Sequence, residues 1–286
     1  MGTLVSVCIP VFNGEVFIKE TIEMILKQDY DNMEILVSDK ESTDHTVEEI
    51  KKIKDSRIKL LQNERNLGMG GNWNSLMRQA RGDYLLLVCA DDYLLPGAIR
   101  EKAKILDDNP DVNIVFSSSY VMNEKGRKLM IRRPFRKSCK LEARKMQQDL
   151  FVKRNIFAEP TNNMLRKSAM LEVGDFDTNL WYTIDWDYWL RMLNTGNAYY
   201  IDKPYSGFRI SSSSATGSSL NGTEKILKDE SVFIEKHKEG KIIPVTHEMI
   251  VQREKNVQRR LSQKIIFMRI NTLISKILKD KLGRKL

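Results

Sequence analysis

The stretch that decides the fold is VSVCIPVFN, residues 5–13, an apolar run that ends in a short polar turn. Such a run predicts a buried strand, and the apolar periodicity of residues 15–27 predicts a helix after it. The same alternation predicts further strands over residues 33–37, 58–61, 84–88 and 113–116, and helices over 43–54, over 72–80 and from Pro96. This order predicts an α/β fold with a mostly parallel sheet and helices on both faces.

The alternation fades from about residue 120. Helical periodicity remains near residues 142–152, 167–173 and 185–193, with little clear strand pattern. We therefore expect one domain over residues 1–223, divided into a ligand-binding half, 1–118, and a second half, 119–223. A helical extension, residues 224–286, is expected to follow.

The formal charge of +9 is concentrated at one end of the chain. Residues 251–286 hold eleven lysines and arginines against Glu254 and Asp280, a net of +9, so the remaining residues balance. A neutral body with a basic tail is not typical of a nucleic-acid-binding groove, and we expect no nucleic-acid partner.

Apolar residues recur at helical spacing within the basic tail, including Val257, Leu261, Ile265 and Met268. An amphipathic basic helix of this kind favours an anionic membrane surface. The alternative is a helix that packs on the domain or on a second copy of the chain, as a homo-oligomer, with its charges solvated.

The beginning of the chain and its cysteines indicate the compartment. The first apolar run ends at Pro10, too short for a membrane span, and no signal peptide is recognised. Cys8, Cys89 and Cys139 form no CxxC pair. We expect a cytoplasmic protein, peripheral on the inner face of the plasma membrane if the tail binds lipid.

Acidic residues follow two of the predicted strands. Asp39 follows the strand at 33–37, and Asp91 and Asp92 follow the strand at 84–88. In open α/β sheets ligands bind at the carboxyl ends of the strands. Carboxylates there suit Mg²⁺ or Mn²⁺, and such an ion can bridge a diphosphate. The alternative is that acids favoured by turns and helix N-termini have collected there.

Asp185, in the segment IDWDYWLR, opens a strongly aromatic helix. A carboxylate among tryptophans has a raised proton affinity through desolvation and suits a general base for an acceptor hydroxyl. The alternative makes Asp185 an N-cap and Asp187 a residue of the first helical turn.

Weaker candidates lie around the fourth predicted strand and near residue 209. Glycines on the preceding loop let the backbone approach a ligand, although glycines are common in loops, and Arg81 directly precedes the strand. Arg209 is expected as a free cation after an apolar run that can pair with a phosphate, although a surface arginine explains it equally well. These candidates are Asn66, Gly68, Asn72, Arg81 and Arg209.

Several enzyme classes lack their motifs. The three histidines have no metal-site spacing, and no nucleophile elbow, GxxxxGK[ST] loop or GxGxxG after the first strand is present. Hydrolase, nucleoside-triphosphatase and dinucleotide-oxidoreductase functions are therefore disfavoured.

The strings VSVCIPVFN, ILVSDKESTD, NLGMGGNWN, ARGDYLLLVCADDYLLP, GDFD and IDWDYWLR, in this order, resemble the inverting family-2 glycosyltransferases of GT-A (Rossmann-like) fold. The resemblance covers residues 4 to about 210. It implies that Pro10, Val11, Phe12 and Asn13 line a nucleotide pocket. It further implies that Asp39 binds the base of a nucleotide-sugar donor, most simply a UDP-sugar.

The resemblance also implies roles for the remaining acids. Asp91 matches the second acid of the DxD metal motif, with Asp92 beside it at the diphosphate, and the implied cofactor is Mn²⁺ or Mg²⁺. Asp185 matches the acid that deprotonates a saccharide or lipid-linked saccharide acceptor before single, inverting displacement. Asn66, Gly68, Asn72, Arg81 and Arg209 are expected on the donor side.

Three positions depart from the family pattern. Cys89 replaces the first acid of the DxD motif, Lys40 replaces a second acid after Asp39, and Ser211 replaces a common histidine. These departures leave open an alternative function as a catalytically weak module that binds nucleotide sugar or glycan. A nucleotidyltransferase is a third alternative, but the chain lacks its glycine-rich signature.

Overall fold

The computed structural model describes residues 2–62, 67–210 and 223–262. Its centre is a ten-stranded sheet in the order β3-β2-β1-β4-β9-β6-β10-β5, with β7 paired to β6 and β8 paired to β10. The strands are β1 (Val5–Val11), β2 (Met33–Asp39), β3 (Ile58–Gln62), β4 (Tyr84–Leu87), β5 (Tyr93–Leu94), β6 (Val112–Asn123), β7 (Lys128–Arg132), β8 (Cys139–Leu141), β9 (Asn163–Arg166) and β10 (Asn197–Ile210).

Helices connect and cover these strands. Those of the first half are α1 (Ile18–Leu26), α2 (Thr46–Lys52), α3 (Gly68–Gln79) and α4 (Ala98–Asp108). Those of the second half and the extension are α5 (Ala143–Val152), α6 (Lys167–Val173), α7 (Ile184–Met192), α8 (Thr223–Lys238) and α9, residues 247–262.

The first half has the predicted parallel arrangement. Strands β1, β2, β3 and β4 pair in parallel, and Val11 of β1 stands beside Asp39 of β2. β1, β2 and β4 are almost wholly buried because helices cover both faces of the sheet, whereas β3, at its edge, is partly exposed. Because the strands are parallel, their carboxyl ends meet at one edge.

The second half contributes more strand than the sequence pattern predicts. β9 lies between β4 and β6 and is antiparallel to both, while β10 is parallel to β6. Pro204 lies within β10, where the register shifts, and this irregularity removes the alternation that marks a strand. The expectation of little strand beyond residue 120 is therefore wrong, and both halves share one sheet.

The sheet separates two apolar cores. One core is built by α1, α4 and one face of the first strands, and includes Ile22 and Ile99. The other holds the aromatic residues of α7, such as Trp186 and Trp189, with α3 and α5. Phe233 of α8 belongs to this second core.

The extension beyond residue 223 is continuous with the domain. Besides Phe233, the extension buries Ile226, Val257 and Leu261. Val257 and Leu261, expected on a membrane-facing stripe, pack against Ile226 instead, whereas Ile265 and Met268 lie outside the described residues. Within the described ranges, every helix is too short or too polar to cross a bilayer.

Candidate functional site

Asp39 is the last residue of β2 and lies at the carboxyl edge of the sheet. It is only 3% exposed, and its Oδ2 accepts a hydrogen bond from the Ser42 N–H at 3.1 Å. Its Oδ1 is buried without a hydrogen-bond partner among the described residues. An unpaired buried carboxylate oxygen is costly, on the order of 1–3 kcal/mol, so this atom is well suited to a donor from a ligand.

The loop after β1 is attached to the loop after β2. Asn13, with φ of 49°, donates its N–H to Ser42 Oγ at 2.8 Å, and the Gly14 N–H donates to Thr46 Oγ1 at 2.8 Å. Phe12, which follows Val11, the β1 partner of Asp39, is 49% exposed. The Lys40 ammonium lies 5.2 Å from the centre of the Phe12 ring, so Lys40 is itself part of this surface.

Asp91 and Asp92 follow β4, as predicted, but their environments differ. Asp92 is 1% exposed, with Oδ2 accepting from Thr161 Oγ1 at 2.7 Å and Oδ1 accepting from the Arg209 N–H at 3.2 Å. Burial, with the charges of Asp91 and Glu159, raises the Asp92 pKa well above its usual value. Asp91 is only partly buried, and burial raises its pKa against the opposing effect of Arg209.

The donor set at this strand end does not fit a protein-built metal site. Cys89 stands where a further acid is expected, and its N–H is bound to Thr161 Oγ1 at 3.0 Å. Burial raises the pKa of the Cys89 thiol well above its usual value, which disfavours the thiolate that binds metals. Within the described part of the chain, no three His, Cys, Asp or Glu side chains are grouped as metal ligands. Asp91 is the carboxylate of the predicted pair that is more open to a ligand.

Asp185 lies in the first turn of α7, and its carboxylate is oriented by two hydrogen bonds. Oδ1 accepts from the Trp186 N–H at 2.8 Å and Oδ2 from Asn155 Nδ2 at 2.9 Å. Burial raises the Asp185 pKa to about 7, and the nearby charge of Glu159 adds to the increase, although the two hydrogen bonds oppose it. The predicted rise in proton affinity is therefore confirmed, with desolvation as its cause.

Asp187, two residues later, has the opposite character. It is fully buried and is bound by His237 at 2.9 Å, Arg191 at 2.9 Å and Lys236 at 2.9 Å. Burial alone would raise its pKa, but these partners lower it to about 2. Asp187 therefore ties α7 to α8 as a permanent anion, whereas Asp185 can exchange a proton near neutral pH.

Two elements of the structure connect Asp39, Asp92 and Asp185. In α3, Asn72 exchanges hydrogen bonds with Ser38, next to Asp39, while a Cβ at Gly70 would lie 2.8 Å from Ile184, next to Asp185. The segment 155–162 donates to Asp185 through Asn155 and to Asp92 through Thr161. Both elements draw the carboxyl edge of the sheet and the start of α7 together.

Arg209 has a different environment from the free cation expected at this position. It is 2% exposed, and its guanidinium donates to Glu20, to the Asp91 carbonyl at 2.7 Å and to the Glu124 carbonyl at 2.7 Å. Its charge also lies 4.0 Å from the centre of the Phe17 ring. Arg209 therefore stabilises the Asp91–Asp92 turn by hydrogen bonds within the protein.

Arg81 lies at the opposite edge of the sheet. Its Nε donates to Glu34 at 2.9 Å, and its N–H donates to the same carboxylate at 2.7 Å. Glu34 is near the start of β2 and Asp39 is at its end, so the strand separates Arg81 from Asp39. This corrects the expectation that Arg81 contacts the donor. Gly68 begins α3, whereas Asn66 and Ser211 lie outside the described residues.

Three residues that connect Asp185 to the Asp91–Asp92 turn have no signal in the sequence pattern: Asn155, Glu159 and Thr161. All three lie in NIFAEPTN, residues 155–162, which has no periodicity. Ala158 in this segment has a φ of 57°, which is unusual for a residue other than glycine. This backbone conformation is visible in the structure and not in the sequence.

This chain is similar in sequence to known glycosyltransferases. Residues 6–174 match the model of glycosyl transferase family 2. An uncharacterized glycosyltransferase of Methanocaldococcus jannaschii is 34% identical over 194 residues, covering 66% of this chain and 64% of that protein. The Escherichia coli UDP-Glc:alpha-D-GlcNAc-diphosphoundecaprenol beta-1,3-glucosyltransferase WfaP is 35% identical over 118 residues, covering 41% of this chain and 47% of that protein. The chain thus spans less than two thirds of the length of these relatives.

Solved structures show the same fold. Staphylococcus aureus TarS 1-349 in complex with UDP-GlcNAc aligns with a TM-score of 0.70 at 18% identity, over 90% of this chain and 72% of that chain. The mannosyltransferase PcManGT from Pyrobaculum calidifontis in complex with GDP-Man and Mn²⁺ aligns with a TM-score of 0.59 at 18% identity, over 82% of this chain and 65% of that chain. The chain has a GT-A glycosyltransferase fold and belongs to glycosyl transferase family 2.

Proposed function

We propose that this chain is an inverting glycosyltransferase that moves a sugar from a UDP-sugar to a hydroxyl of a saccharide or lipid-linked saccharide. The observation that carries the proposal is the Asp185 carboxylate, with a pKa of about 7, at the start of a helix that α3 connects to the Asp39 strand end and residues 155–162 connect to Asp92. A carboxylate with that pKa is suited to accept a proton near neutral pH.

The donor half of the proposal rests on Asp39 and Phe12. The unpaired Oδ1 of Asp39 can accept an N–H from a pyrimidine base, and the exposed ring of Phe12 offers an apolar surface beside it. Pro10 and Val11 are the last two residues of β1 and Asn13 follows them, so all three would lie at the same strand end as the donor. The Asp91–Asp92 turn would face the diphosphate, with Asp91 as its more exposed carboxylate.

The proposed chemistry is one displacement. Asp185 accepts the proton of the acceptor hydroxyl, and the hydroxyl oxygen forms a bond to the anomeric carbon of the donor sugar. The bond from that carbon to the UDP oxygen breaks at the same time, and UDP leaves with the electron pair. The anomeric configuration inverts because attack comes from the face opposite the leaving group.

Divalent metal dependence is not part of the proposal. The residues present do not supply three grouped protein ligands, so no step is derived through an ion. The donor and acceptor classes are supported by similar proteins, which include a UDP-Glc glucosyltransferase acting on a diphosphoundecaprenol-linked sugar and a structure in complex with UDP-GlcNAc.

The experiment is a screen of UDP-sugars and GDP-sugars against the purified chain, with and without Mn²⁺, followed by calorimetry with UDP. We expect UDP to bind and one UDP-sugar to be consumed, and nuclear magnetic resonance of the product should give the inverted anomeric configuration. Asp39→Ala should weaken UDP binding by roughly tenfold or more, because a buried charged acceptor is lost. Retention of the donor configuration would contradict the proposal.

A second candidate function, a binding module without efficient catalysis, is favoured by Cys89 and Lys40, which replace two acids of the family pattern. The same experiments separate the two candidates. UDP binding with no sugar transfer to any acceptor and no donor hydrolysis would favour the module.

A further inference from the structure

β6 and β7 form a hairpin, residues 123–133, which we call the β7 hairpin. It carries an unusual apolar surface. Leu129, Met130 and Ile131 are 56%, 57% and 45% exposed. Successive side chains of a strand point to opposite faces. Three consecutive exposed residues therefore mean that both faces of β7 are open to solvent.

The outer edge of β7 is also open. Among the described strands β7 pairs with β6 alone, and Gly126, with φ of 76°, closes the turn between them. Exposed apolar strands at a sheet edge are rare in proteins because they promote association. The hairpin therefore needs an occupant or a surface that covers it.

Positive charge surrounds this apolar strand. Residues 123–137 contain seven lysines and arginines and one acid, Glu124. Arg132 pairs with Glu159 and Arg133 with Asp202. Across the described ranges no carboxylate lies within ion-pair distance of the other five: Lys125, Arg127, Lys128, Arg136 and Lys137.

The hairpin adjoins the candidate site. Arg132, the last residue of β7, donates to Glu159 Oε2 at 2.5 Å, and Glu159 lies in the segment that holds Asp185 through Asn155. A surface that covers the hairpin would therefore lie near the Asp185 side of the candidate site, which is assigned to the acceptor.

We propose that the β7 hairpin docks on an anionic lipid surface, with Leu129, Met130 and Ile131 among the acyl chains and the unpaired cations at the headgroups. An apolar strip flanked by cations is the pattern that an anionic membrane interface recognises. Edge pairing with a second copy is disfavoured, because it would bring two sets of like charges together. Presentation of the cleft to a lipid-linked acceptor rests on the proposed function, whereas the docking itself does not.

The test is cosedimentation of the full chain with phosphatidylglycerol-containing vesicles and with pure phosphatidylcholine vesicles, in the absence of any sugar donor. We expect binding to the anionic vesicles that weakens with salt. The triple variant Leu129→Gln, Met130→Gln, Ile131→Gln should lower the partition coefficient by roughly tenfold or more, because three half-exposed apolar side chains no longer enter the bilayer.

Leu171→Gln is the matched control, since Leu171 is 67% exposed on α6 and is not part of the hairpin. We expect it to bind vesicles as the unchanged chain does. The double variant Lys125→Gln, Arg127→Gln alters only exposed charge at the turn, and it should also reduce binding to anionic vesicles. It provides a decision if the triple variant does not fold by circular dichroism.

Unchanged vesicle binding by the folded triple variant, or by the double variant if the triple variant is unfolded, would overturn the proposal. A dimer of the unchanged chain in light scattering that the triple variant abolishes, without any effect of vesicles, would overturn it in favour of a second copy. Because vesicle binding needs no donor, failure of sugar transfer would leave this result readable on its own.

Discussion

The two ends of the candidate site are built in different ways. Asp39 ends a buried strand, and its Oδ2 accepts a hydrogen bond from the N–H of Ser42, three residues later. Asp185 is bound by Asn155, thirty residues earlier. Each carboxylate accepts a hydrogen bond from a near neighbour, Ser42 for Asp39 and Trp186 for Asp185, but among the described residues only Asp185 also accepts one from a distant residue, Asn155.

The C-terminal extension supplies further distant contacts at the start of α7. Asp229 of α8 is 4% exposed; its Oδ1 accepts from the Trp181 N–H at 2.8 Å, and its Oδ2 accepts from the Thr183 N–H at 2.8 Å and from Thr183 Oγ1 at 2.7 Å. Thr183 is the residue before α7 begins. Asp229 thus holds the residues that lead into Asp185, a capping role supplied from another helix.

The Asp39 carboxylate at a strand end is thus oriented by one nearby N–H, whereas the α7 start that carries Asp185 is bound by the distant residues Asn155 and Asp229. The family match ends at residue 174, yet α7 and its partners in α8 come after it. Four predictions test this difference, in order of decreasing effect.

The largest effect is expected for Asp185→Asn. It removes the proposed base but keeps the side-chain shape, so sugar transfer should fall by roughly 10²- to 10⁴-fold while UDP affinity changes little. Initial rates and UDP calorimetry on the same preparation measure both quantities. Transfer within twofold of the unchanged chain would remove Asp185 from the base role.

The second effect is a dependence on pH. The base must be deprotonated, so kcat/KM should rise roughly tenfold per pH unit below the Asp185 pKa of about 7 and level off above it. For stability the sign is opposite: this raised pKa favours folding below the unfolded value, and the contribution is lost as pH rises through about 7.

Asp185→Asn should therefore gain stability relative to the unchanged chain as pH rises from 4 to 8, which thermal unfolding at several pH values would measure. A kcat/KM profile that is flat from pH 5 to 8 would contradict the assigned titration.

The third effect concerns Asp229→Ala. The Trp181 and Thr183 donors lose a buried acceptor, so unfolding free energy should fall by about 2 kcal/mol. Displacement of the α7 start should lower kcat by roughly tenfold while UDP affinity stays close to that of the unchanged chain. Glu235→Ala is the control on the same helix, because Glu235 is exposed and, among the described residues, its ion pair is with Lys238. Loss of UDP affinity equal to the loss of kcat would show that the extension supports both ends of the site.

The smallest effect is expected for Arg81→Gln. Arg81 pairs with Glu34 at the amino edge of the sheet, so UDP affinity and transfer should stay within a factor of about two, with a stability loss of about 1 kcal/mol. A tenfold loss of UDP affinity measured by calorimetry would mean that this edge of the sheet influences the donor pocket.

Sequence alone determined the parallel first half and the placement of Asp39, Asp91 and Asp92 at strand ends. Apolar runs that alternate with helical periodicity leave little freedom in such a fold, and a residue that follows a parallel strand must lie at its carboxyl edge. The aromatic surroundings of Asp185 also sufficed to predict a raised proton affinity.

Only the tertiary structure decided the rest. β9 is four residues long and β10 contains Pro204, so neither has the pattern of a strand until its neighbours pair with it. Arg81 and Arg209 are both cations near polar loops in sequence, and only their partners show that one braces the Asp91–Asp92 turn and the other lies at the far edge. The physical reason is that periodicity reports which face of an element is buried, whereas the identity of a distant partner depends on how the elements pack.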